Sequence, residues 1–290
     1  MTMMVRRRGT ATVRARVLGI GGRIVVTLLL AGGALAPGYH VRADDDGGFN
    51  TPGNIVIADQ FNNRVVEINP NTHNVVWQFG DGSSVAGPHS IIGTNDAERV
   101  GRLTLIAGTG VPAANPPFEP GCANGCQDNR VILVNRQGRI VWQYGQAGIA
   151  GAGPNQLNTP VQATYLPNRH ILITDQGNER IIEVTRRHQI VWQYGTTGIT
   201  GTVPNYLNNP NSAELLDNGH VLIADENNNR AIEVIPDRVH HQGGTIVWQY
   251  GSGDPTINTP VSGVAFASRL PNGDTLITSS NDSHIFEVNA

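Results

Sequence analysis

The chain contains no lysine, because all 20 of its basic residues are arginine. This absence excludes chemistry that requires a lysine amine. The sequence also lacks long helical patterns, which excludes helical solenoids. Its longest apolar run, Ile24–Ala36, is shorter than the roughly 20 residues that a membrane-spanning helix needs. What remains is a glycine-rich sequence, with 35 glycines, in which short apolar runs alternate with Asn- and Asp-rich turns.

No acidic residue precedes Asp44, whereas seven arginines do. A basic segment, the apolar run and the small-residue triplet at 41–43 together have the pattern of a secretory signal peptide. We therefore predict a signal peptide over residues 1–43, cleaved near Ala43, followed by one domain over residues 44–290. An uncleaved membrane anchor remains the alternative interpretation of the same segment.

Removal of residues 1–43 would leave 13 basic and 23 acidic residues, a formal charge of −10. An acidic exported protein is a poor partner for nucleic acid or for an anionic membrane surface. The composition therefore predicts a secreted, periplasmic or cell-surface protein that binds neither nucleic acid nor, after signal cleavage, membrane. No motif in the sequence indicates a cofactor.

One sequence pattern recurs along the whole domain. The stretch from His170 to Gly195 reads as three short strands separated by the polar turns DQGNER and TRRHQ, and close copies occupy 53–80 and 219–251. A three-stranded meander cannot bury both of its faces, so successive copies must cover one another. Five units can be counted. Four tryptophans, 65, 50 and 56 residues apart, mark the successive copies: Trp77, Trp142, Trp192 and Trp248.

Four of the units are preceded by a further short run, which would supply a fourth strand. These expected inner strands are Pro88–Gly93, Pro160–Tyr165, Pro210–Leu216 and Pro260–Phe266. A unit of four antiparallel strands is the blade of a β-propeller. We therefore predict an all-β propeller, either five-bladed or a shortened relative of a six-bladed one. The first unit lacks an inner strand and the last lacks an outer strand.

Residues 145–184 (GQAGIAGAGPNQLNTPVQATYLPNRHILITDQGNERIIEV) resemble the NHL repeat, and residues 195–234 and 251–288 repeat the pattern. The closing IVWQYG is similar to the outer strand of arylsulfotransferase-like and quinoprotein-like propellers. The resemblance implies a propeller fold. It implies no single function, because NHL propellers include protein binders, RNA binders, sensor domains and an amidating lyase.

An Asp and an Arg five residues apart flank the same turn in three units: Asp59/Arg64, Asp175/Arg180 and Asp225/Arg230. Because a catalytic group normally occurs once, this repetition favours a structural role in which the Asp accepts backbone N–H groups and pairs with the Arg. The second and fifth units depart from the motif, with Gly108 and Ser279 in place of Asp. The recurring Trp is expected between blades as an apolar filler.

The long connections all fall at one end of the predicted propeller, and the longest is the insertion Thr109–Gln127. Binding is expected there, because rigid scaffolds present variable loops. The insertion carries both cysteines, Cys122 and Cys126, for which a local disulfide is the simplest interpretation in an exported protein. A redox pair, a metal site and free thiols are the alternatives, and no metal site is predicted because further ligands are missing.

His89 lies on an expected inner strand and is the candidate acid, base or metal ligand of the central channel. The candidate binding residues that would face the same channel are Ser90, Gln162, Asn211, Ser212 and Ser262. The sequence therefore predicts a non-enzymatic propeller that binds a protein, peptide or glycan on its long-loop face. The alternative is a propeller enzyme, either a metal-dependent lyase or hydrolase or an arylsulfotransferase-like enzyme, with its site near His89.

Overall fold

The computed structural model describes residues 2–6, 12–16, 48–253 and 261–289. Strands β1 (Thr2–Arg6) and β2 (Thr12–Arg16) pair as an antiparallel hairpin. The apolar run and the expected cleavage site at Ala43 lie outside the described residues. Within the described ranges, no helix combines the length and apolar character needed to cross a bilayer.

The other strands form five consecutive antiparallel sheets, the blades. Blade 1 contains β3 (Ile55–Asp59), β4 (Arg64–Ile68) and β5 (Val75–Phe79). Blade 2 contains β6 (Thr94–Val100), β7 (Leu103–Val111), β8 (Cys126–Asn135) and β9 (Ile140–Gly145). Blade 3 contains β10 (Pro160–Tyr165), β11 (Ile171–Asp175), β12 (Arg180–Val184) and β13 (Ile190–Tyr194). Blade 4 contains β14 (Pro210–Leu215), β15 (Val221–Asp225), β16 (Arg230–Pro236) and β17 (Gly244–Tyr250). Blade 5 contains β18 (Val264–Arg269), β19 (Thr275–Ser279) and β20 (His284–Val288).

In every blade the strands lie side by side in chain order, which is the meander of a propeller blade. The structure confirms the predicted all-β class, and the residues that it describes form five blades. The propeller has two faces. The long-loop face carries the connections between blades and the turns between the second and third strands of each four-stranded blade. In blade 1, which has no inner strand among the described residues, the equivalent turn joins β3 to β4. The short-loop face carries the remaining hairpin turns.

The central strands of the middle blades are apolar on both faces because neighbouring blades cover both faces. Every residue of β11, β12 and β15 is buried. The outer strand β13 instead alternates, with Ile190 exposed and Trp192 and Tyr194 buried. This difference follows from position, because an outer strand has solvent on one side.

Four of the apolar clusters formed by the described residues lie between consecutive blades and hold them together. The clusters centre on Trp77 and Ile132 between blades 1 and 2, and on Leu133 and Ile173 between blades 2 and 3. Further clusters join blade 3 to blade 4 and blade 4 to blade 5. Among the described residues, none of these clusters contains members of both blade 5 and blade 1.

The inner strand of blade 2 was expected at Pro88–Gly93, and that expectation is wrong. The strand is β6, which pairs with β7 from Thr94 to Val100. Its sequence TNDAERV is polar, because it lines the channel instead of filling a core. The inner strand of blade 5 likewise starts later than expected, at Val264.

Within the described part of the chain, blade 1 has no inner strand, as the sequence predicts, and a turn at residues 48–54 lies beside it instead. Glu67 Oε1 accepts hydrogen bonds from the Asn50 backbone N–H at 2.7 Å and from Asn54 Nδ2 at 2.6 Å. Phe49 is buried against Trp77, and the Arg99 guanidinium lies 4.2 Å from the centre of the Phe49 ring. These contacts cover the blade 1 surface at the short-loop end.

Candidate functional site

The Asp–Arg pairs lie at the long-loop end of the blades. In blade 4, Arg230 Nε donates to Asp225 Oδ2 at 2.7 Å, and in blade 3 Arg180 Nε donates to Asp175 Oδ2 at 2.8 Å. Each Asp also accepts the backbone N–H of the residue that leads into its own inner strand. These donors are Asn208 for Asp225 and Asn158 for Asp175. The motif therefore closes the turn and ties the long loop to the blade.

Burial raises the pKa of the Asp175 and Asp225 carboxyls, and the neighbouring Arg guanidinium and N–H donors oppose that rise. The side chains of both pairs are at most 3% exposed. No substrate can reach such groups, so the structural role predicted for them agrees with their environment.

Blade 2 builds the same contact from a different position. Asp128 Oδ1 accepts from Arg130 Nε at 2.6 Å, and Asp128 Oδ2 accepts from the Ile92 backbone N–H at 2.7 Å. A Cβ atom on Gly108 would lie 2.4 Å from Ile91 Cδ1 and 2.7 Å from the Asp128 carboxyl carbon. Gly108 therefore leaves the space that the Asp128 side chain fills. In blade 5, Ser279 Oγ accepts the Ser262 backbone N–H at 2.7 Å and so replaces the carboxylate.

The residue before each of these arginines has a left-handed backbone and links its blade to the next. Asn63, Asn129 and Asn229 have φ between 49° and 59°. Their side-chain oxygens accept backbone N–H groups at the start of the following blade, at 2.8–2.9 Å. Glu179 occupies the same place in blade 3 with φ 56° and accepts from the Asn209 backbone N–H. Asn tolerates this conformation better than most residues.

The inner strands are joined around the channel by side chains that accept backbone N–H groups of the next blade. Gln162 Oε1 accepts from Ala213 at 2.6 Å, and Ser212 Oγ accepts from Ala267 at 3.2 Å. These two predicted binding residues therefore seal neighbouring strands. The edge N–H groups that they satisfy would otherwise face the channel unpaired.

Blade 2 makes the same contacts with two carboxyl groups that the sequence pattern does not indicate. Asp96 Oδ2 accepts from the Ala163 N–H and Glu98 Oε2 from the Tyr165 N–H, both at 3.0 Å. Burial raises the pKa of Asp96 to about 6 despite the hydrogen bonds. Burial, and then the charge of Asp96, raise the pKa of Glu98 to about 7, although the Tyr165 N–H opposes the rise. Neither residue was predicted to face the channel, because the inner strand of blade 2 was predicted at Pro88–Gly93 and not at β6.

The structure does not place His89 or Ser90 on an inner strand. Both precede β6 in the connection from blade 1, so the expectation that they line the channel is wrong. The His89 side chain is exposed on the long-loop face. Ser90 is buried, and its Oγ donates to the Val85 carbonyl at 2.6 Å. Their positions were predicted wrongly because the blade 2 inner strand begins at Thr94, six residues after the predicted start at Pro88.

Asn211 and Ser262 lie where inner strands begin, at the long-loop end. Glu226 Oε2 accepts from Asn211 Nδ2 at 2.9 Å and from Asn209 Nδ2 at 3.0 Å. Ser280 Oγ donates to the other Glu226 oxygen at 3.3 Å. Ser262 Oγ accepts from Asn281 Nδ2 at 3.2 Å. The mouth of the channel between blades 4 and 5 is therefore polar, with Glu226 at its centre.

The blade 2 insertion folds back over blade 1. The structure contains the predicted disulfide between Cys122 and Cys126, whose Cα atoms are 5.2 Å apart. Glu119 accepts from Asn63 Nδ2 and from Ser84 Oγ, both at 2.5 Å. The insertion is therefore held against the body of the propeller.

Two neighbouring connections, residues 146–159 and 196–209, have the same conformation. In both, a glycine N–H donates to a buried leucine carbonyl: Gly151 to Leu157 at 3.0 Å and Gly201 to Leu207 at 3.1 Å. Asn178 and Asn228, in the turns of blades 3 and 4, donate their Nδ2 atoms to the carbonyls of those two glycines. These loops are fixed by hydrogen bonds.

Large apolar side chains are nevertheless exposed on the long-loop face. Ile149 and Ile199 occupy equivalent positions in the two matching loops, and each is 51% exposed. Phe118, on the insertion, is 51% exposed and stacks on Phe61 with ring centres 4.8 Å apart. The others are Val85 and Val203. Exposed apolar side chains on ordered loops are a common property of interaction surfaces.

The short-loop face is organised by repeated carboxylates near the ends of the third strands. His170 Nδ1 lies 2.6 Å from Glu183 Oε1, and His220 Nδ1 lies 2.6 Å from Glu233 Oε1. Arg238 and Arg269 pair with the same two carboxylates. Burial acts to raise the pKa of Glu183, but hydrogen bonds from His170 and Arg238 outweigh it and hold that pKa below its usual value.

The tryptophans lie between blades, as predicted. Trp77 Nε1 donates to the Arg136 carbonyl at 2.9 Å, and Trp142 Nε1 donates to the Arg186 carbonyl at 3.1 Å. Trp192 Nε1 donates to the Gly243 carbonyl at 2.9 Å. Each of these indoles therefore ties its outer strand to a turn of the following blade on the short-loop face.

Within the part of the chain that the structure describes, no three His, Cys, Asp or Glu side chains converge as metal ligands. A depression of about 390 Å³ is lined by polar and backbone groups, among them Asn205, Asp237, Gln242 and Thr245. It lies at the edge between blades 3 and 4, away from the channel.

No protein-family model and no curated protein matches this sequence. Solved structures do match. A protein of unknown function from Bacteroides caccae has 17% identity and a TM-score of 0.50, with 83% of this chain and 74% of that chain covered. The WD40 β-propeller domain of Doa1 has 11% identity and a TM-score of 0.52, with 82% and 60% covered. A streptogramin B lyase has 12% identity and a TM-score of 0.50, with 82% and 65% covered.

The chain is a β-propeller. At these identities the similarity shows the fold alone, since propellers of this architecture carry many unrelated functions. The chain spans less than two thirds of the length of the Doa1 domain and of the lyase.

Proposed function

We propose that this protein is an exported NHL-type propeller that binds a protein or peptide partner on its long-loop face. The observation that carries the proposal is the set of exposed apolar side chains on that face, presented by loops that hydrogen bonds hold in place. Ile149 and Ile199 are the central pair, because they repeat at the same position of adjacent, matching loops.

Rigid presentation supports binding because a preformed loop loses little conformational entropy in a complex. Gly151, Gly201 and the two turn asparagines hold the loops without using the exposed side chains. Apolar anchors of this kind favour a protein or peptide over a glycan, because sugar hydroxyls would leave an isoleucine side chain without a complementary surface.

A peptide library displayed on phage and selected against the full chain provides the probe. An enriched peptide is then measured by calorimetry against Ile149→Asp and Ile199→Asp. We expect each substitution to weaken binding at least about fivefold, since a buried anchor contributes more than 1 kcal/mol. Val141→Asp and Val247→Asp are the matched controls, because these valines are 47% and 48% exposed on outer strands, away from this face. Equal loss in both pairs, or in neither, would contradict the proposal.

Catalysis in the channel is a second candidate function, and one observation favours it. The pKa values of Asp96 and Glu98, about 6 and about 7, lie in the range required of a general acid or base at neutral pH. A panel of ester, lactone and amide substrates tests it with Asp96→Asn and Glu98→Gln. A wild-type protein without activity on the panel, or variants of full activity, would argue against catalysis at this pair.

A further inference from the structure

The arginines at the short-loop face are distributed unevenly among the blades. On this face, the hairpin turns of blades 2 and 3 contain six arginines and no acidic residue: Arg102, Arg136, Arg139, Arg169, Arg186 and Arg187. The corresponding turns of blades 4 and 5 contain one arginine and three aspartates: Arg238, Asp217, Asp237 and Asp274. A basic patch therefore covers two adjacent blades of a domain that is otherwise acidic.

The turns that carry these arginines lie side by side. Trp142, three residues after Arg139, donates its indole N–H to the Arg186 carbonyl across the boundary between blades 2 and 3. The Arg186 guanidinium lies 5.5 Å from the centre of the Trp142 ring. Asn168, next to Arg169, donates to Glu183, one residue from the end of β12. The arginines of both blades therefore belong to one continuous surface.

Three of these side chains are available for a ligand. Arg139, Arg169 and Arg187 are exposed, and none of them forms an ion pair with another described residue. Backbone hydrogen bonds hold their turns: the Arg139 N–H donates to Asn135 Oδ1, the Arg169 N–H to the Leu166 carbonyl, and the Arg187 N–H to Thr185 Oγ1. By contrast, Arg238 and Arg269 on the same face pair with Glu183 and Glu233.

We propose that the short-loop face of blades 2 and 3 binds an anionic polysaccharide through Arg139, Arg169 and Arg187. Guanidinium groups form paired hydrogen bonds with sulfate, phosphate and carboxylate groups, and an array of them matches a polymer with repeated anionic groups. This surface is separate from the long-loop face, so it adds a second ligand to the proposed partner.

The turns themselves argue against the other polyanions. Their sequences, GR, RQGR, LPNRH and TRRHQ, contain no Phe, Tyr or Trp on which the bases of a single-stranded nucleic acid could stack. Leu166, the one large aliphatic residue of these four turns, is buried, so none of the four can insert an aliphatic side chain into a bilayer. A flexible, hydrated polymer of sulfated or uronic sugars requires neither feature.

The test measures binding of the exported protein, after removal of the predicted signal peptide over residues 1–43, to immobilised heparin at about 0.15 M salt. We expect wild-type protein to bind, and the variant Arg139→Gln/Arg169→Gln/Arg187→Gln to bind roughly a hundredfold more weakly, since each arginine near an anionic surface contributes about fivefold. The affinity of wild-type protein should fall with salt more steeply than that of the variant, because fewer counterions are released by the variant.

A control variant separates local contacts from net charge. Ala147→Glu/Thr200→Glu/Asn227→Asp changes the charge by the same three units at exposed positions of the long-loop face, and it should bind heparin as wild type does. If the triple glutamine variant does not fold, the three single variants replace it, with about fivefold expected for each.

Three results would overturn the proposal. The first is wild-type protein that does not bind heparin. The second is a glutamine variant that binds as tightly as the control variant. The third is tighter binding of polyuridine, or of phosphatidylserine vesicles, than of heparin, which would assign the patch to a nucleic acid or to a membrane.

Discussion

The same Asp–Arg turn occurs in blade 4 and in blade 1, and its surroundings differ. The Nε–Oδ2 distance is 2.7 Å for Arg230 and Asp225 and 2.8 Å for Arg64 and Asp59. The side chains of the blade 4 pair are 2% and 0% exposed, whereas those of the blade 1 pair are 38% and 26% exposed. The two pairs therefore have the same residues and nearly the same distance between them, but only the blade 4 pair is buried.

The difference arises from the connection that covers each turn. In blade 4 the preceding loop supplies carbonyl acceptors for the rest of the guanidinium, Thr202 at 2.6 Å and Tyr206 at 3.1 Å. Among the described residues, blade 1 has neither an inner strand nor such a loop leading into it. A charged pair matters for stability where solvent is excluded, because an unpaired buried charge is costly and an exposed one is not.

The largest effect is expected from removal of one partner of a buried pair. Asp225→Asn leaves Arg230 buried beside a neutral side chain, and we expect the free energy of unfolding to fall by about 3–5 kcal/mol. Asp59→Asn is the matched change in blade 1 and should cost at most about 1 kcal/mol. Urea denaturation of both variants measures the difference. Equal losses would show that burial does not set the importance of the pair.

A second substitution tests whether the carboxylate that pairs with Arg130 can be moved from position 128 to position 108, which corresponds to the place of the Asp in blades 1, 3 and 4. Gly108→Asp restores the regular residue in blade 2 but places a second carboxyl group on Asp128, and we expect a loss of about 3 kcal/mol from crowding and charge repulsion. Adding Asp128→Ser should recover part of this loss, because the new Asp can then pair with Arg130 while its contact with Ile91 Cδ1 remains. Thermal unfolding of the single and double variants provides the measurement. Failure of the second change to recover any stability would contradict the exchange of roles between residues 108 and 128.

The channel makes stability depend on pH. The folded-state pKa values of Asp96 and Glu98, about 6 and about 7, lie above their ordinary values of 3.8 and 4.5. Their stabilisation is therefore complete below pH about 4 and is lost as the pH rises through 6 and 7. We expect the free energy of unfolding to fall by at least about 2 kcal/mol between roughly pH 4.5 and pH 8.

Substitution of both groups tests this prediction. Asp96→Asn/Glu98→Gln should flatten the dependence of unfolding on pH, measured by urea titrations at several pH values. Gln162→Asn, at the equivalent place in blade 3, should leave the shape of the profile unchanged. A double variant whose profile matches wild type would show that other groups cause the dependence.

The smallest effect concerns the left-handed residue that links blades 3 and 4. Glu179→Asn introduces the residue found at this place in blades 1, 2 and 4, and it should stabilise the protein by about 0.5–1 kcal/mol. Asn adopts this backbone more readily, and burial raises the pKa of the Glu179 carboxyl, which disfavours its charge. The melting temperature is the measurement. Asn229→Ala should be destabilising, because Ala tolerates the left-handed backbone poorly and has no side-chain oxygen to accept the Gly263 N–H. A Glu179→Asn variant that melts below wild type would contradict the explanation.

Much of the fold could be predicted from the repeated sequence pattern. The three strands of each meander, the turn pairs such as Asp175 and Arg180, and the position of Trp192 between blades follow from alternation and repetition. The disulfide between Cys122 and Cys126 follows from their proximity in sequence.

The channel wall could not be predicted in the same way. Strand β6 is polar, so apolar alternation gave no signal for it, and the more apolar Pro88–Gly93 matched the expected pattern instead. Asp96 and Glu98 lie on β6, so they were not predicted as channel residues. The prediction that His89 faces the channel was wrong for the same reason. Glu226 and Asp128 were also missed, since their roles depend on partners 15 to 54 residues away along the chain.

The sequence by itself determined that this chain contains five copies of a unit of short β-strands, because β-branched alternation and turn residues act over a few neighbouring positions. Only the tertiary structure decided which copies of each motif are buried, which carboxyl groups line the axis and which arginines remain exposed. The physical reason is that desolvation depends on the neighbouring blade, and a neighbouring blade is far away in sequence.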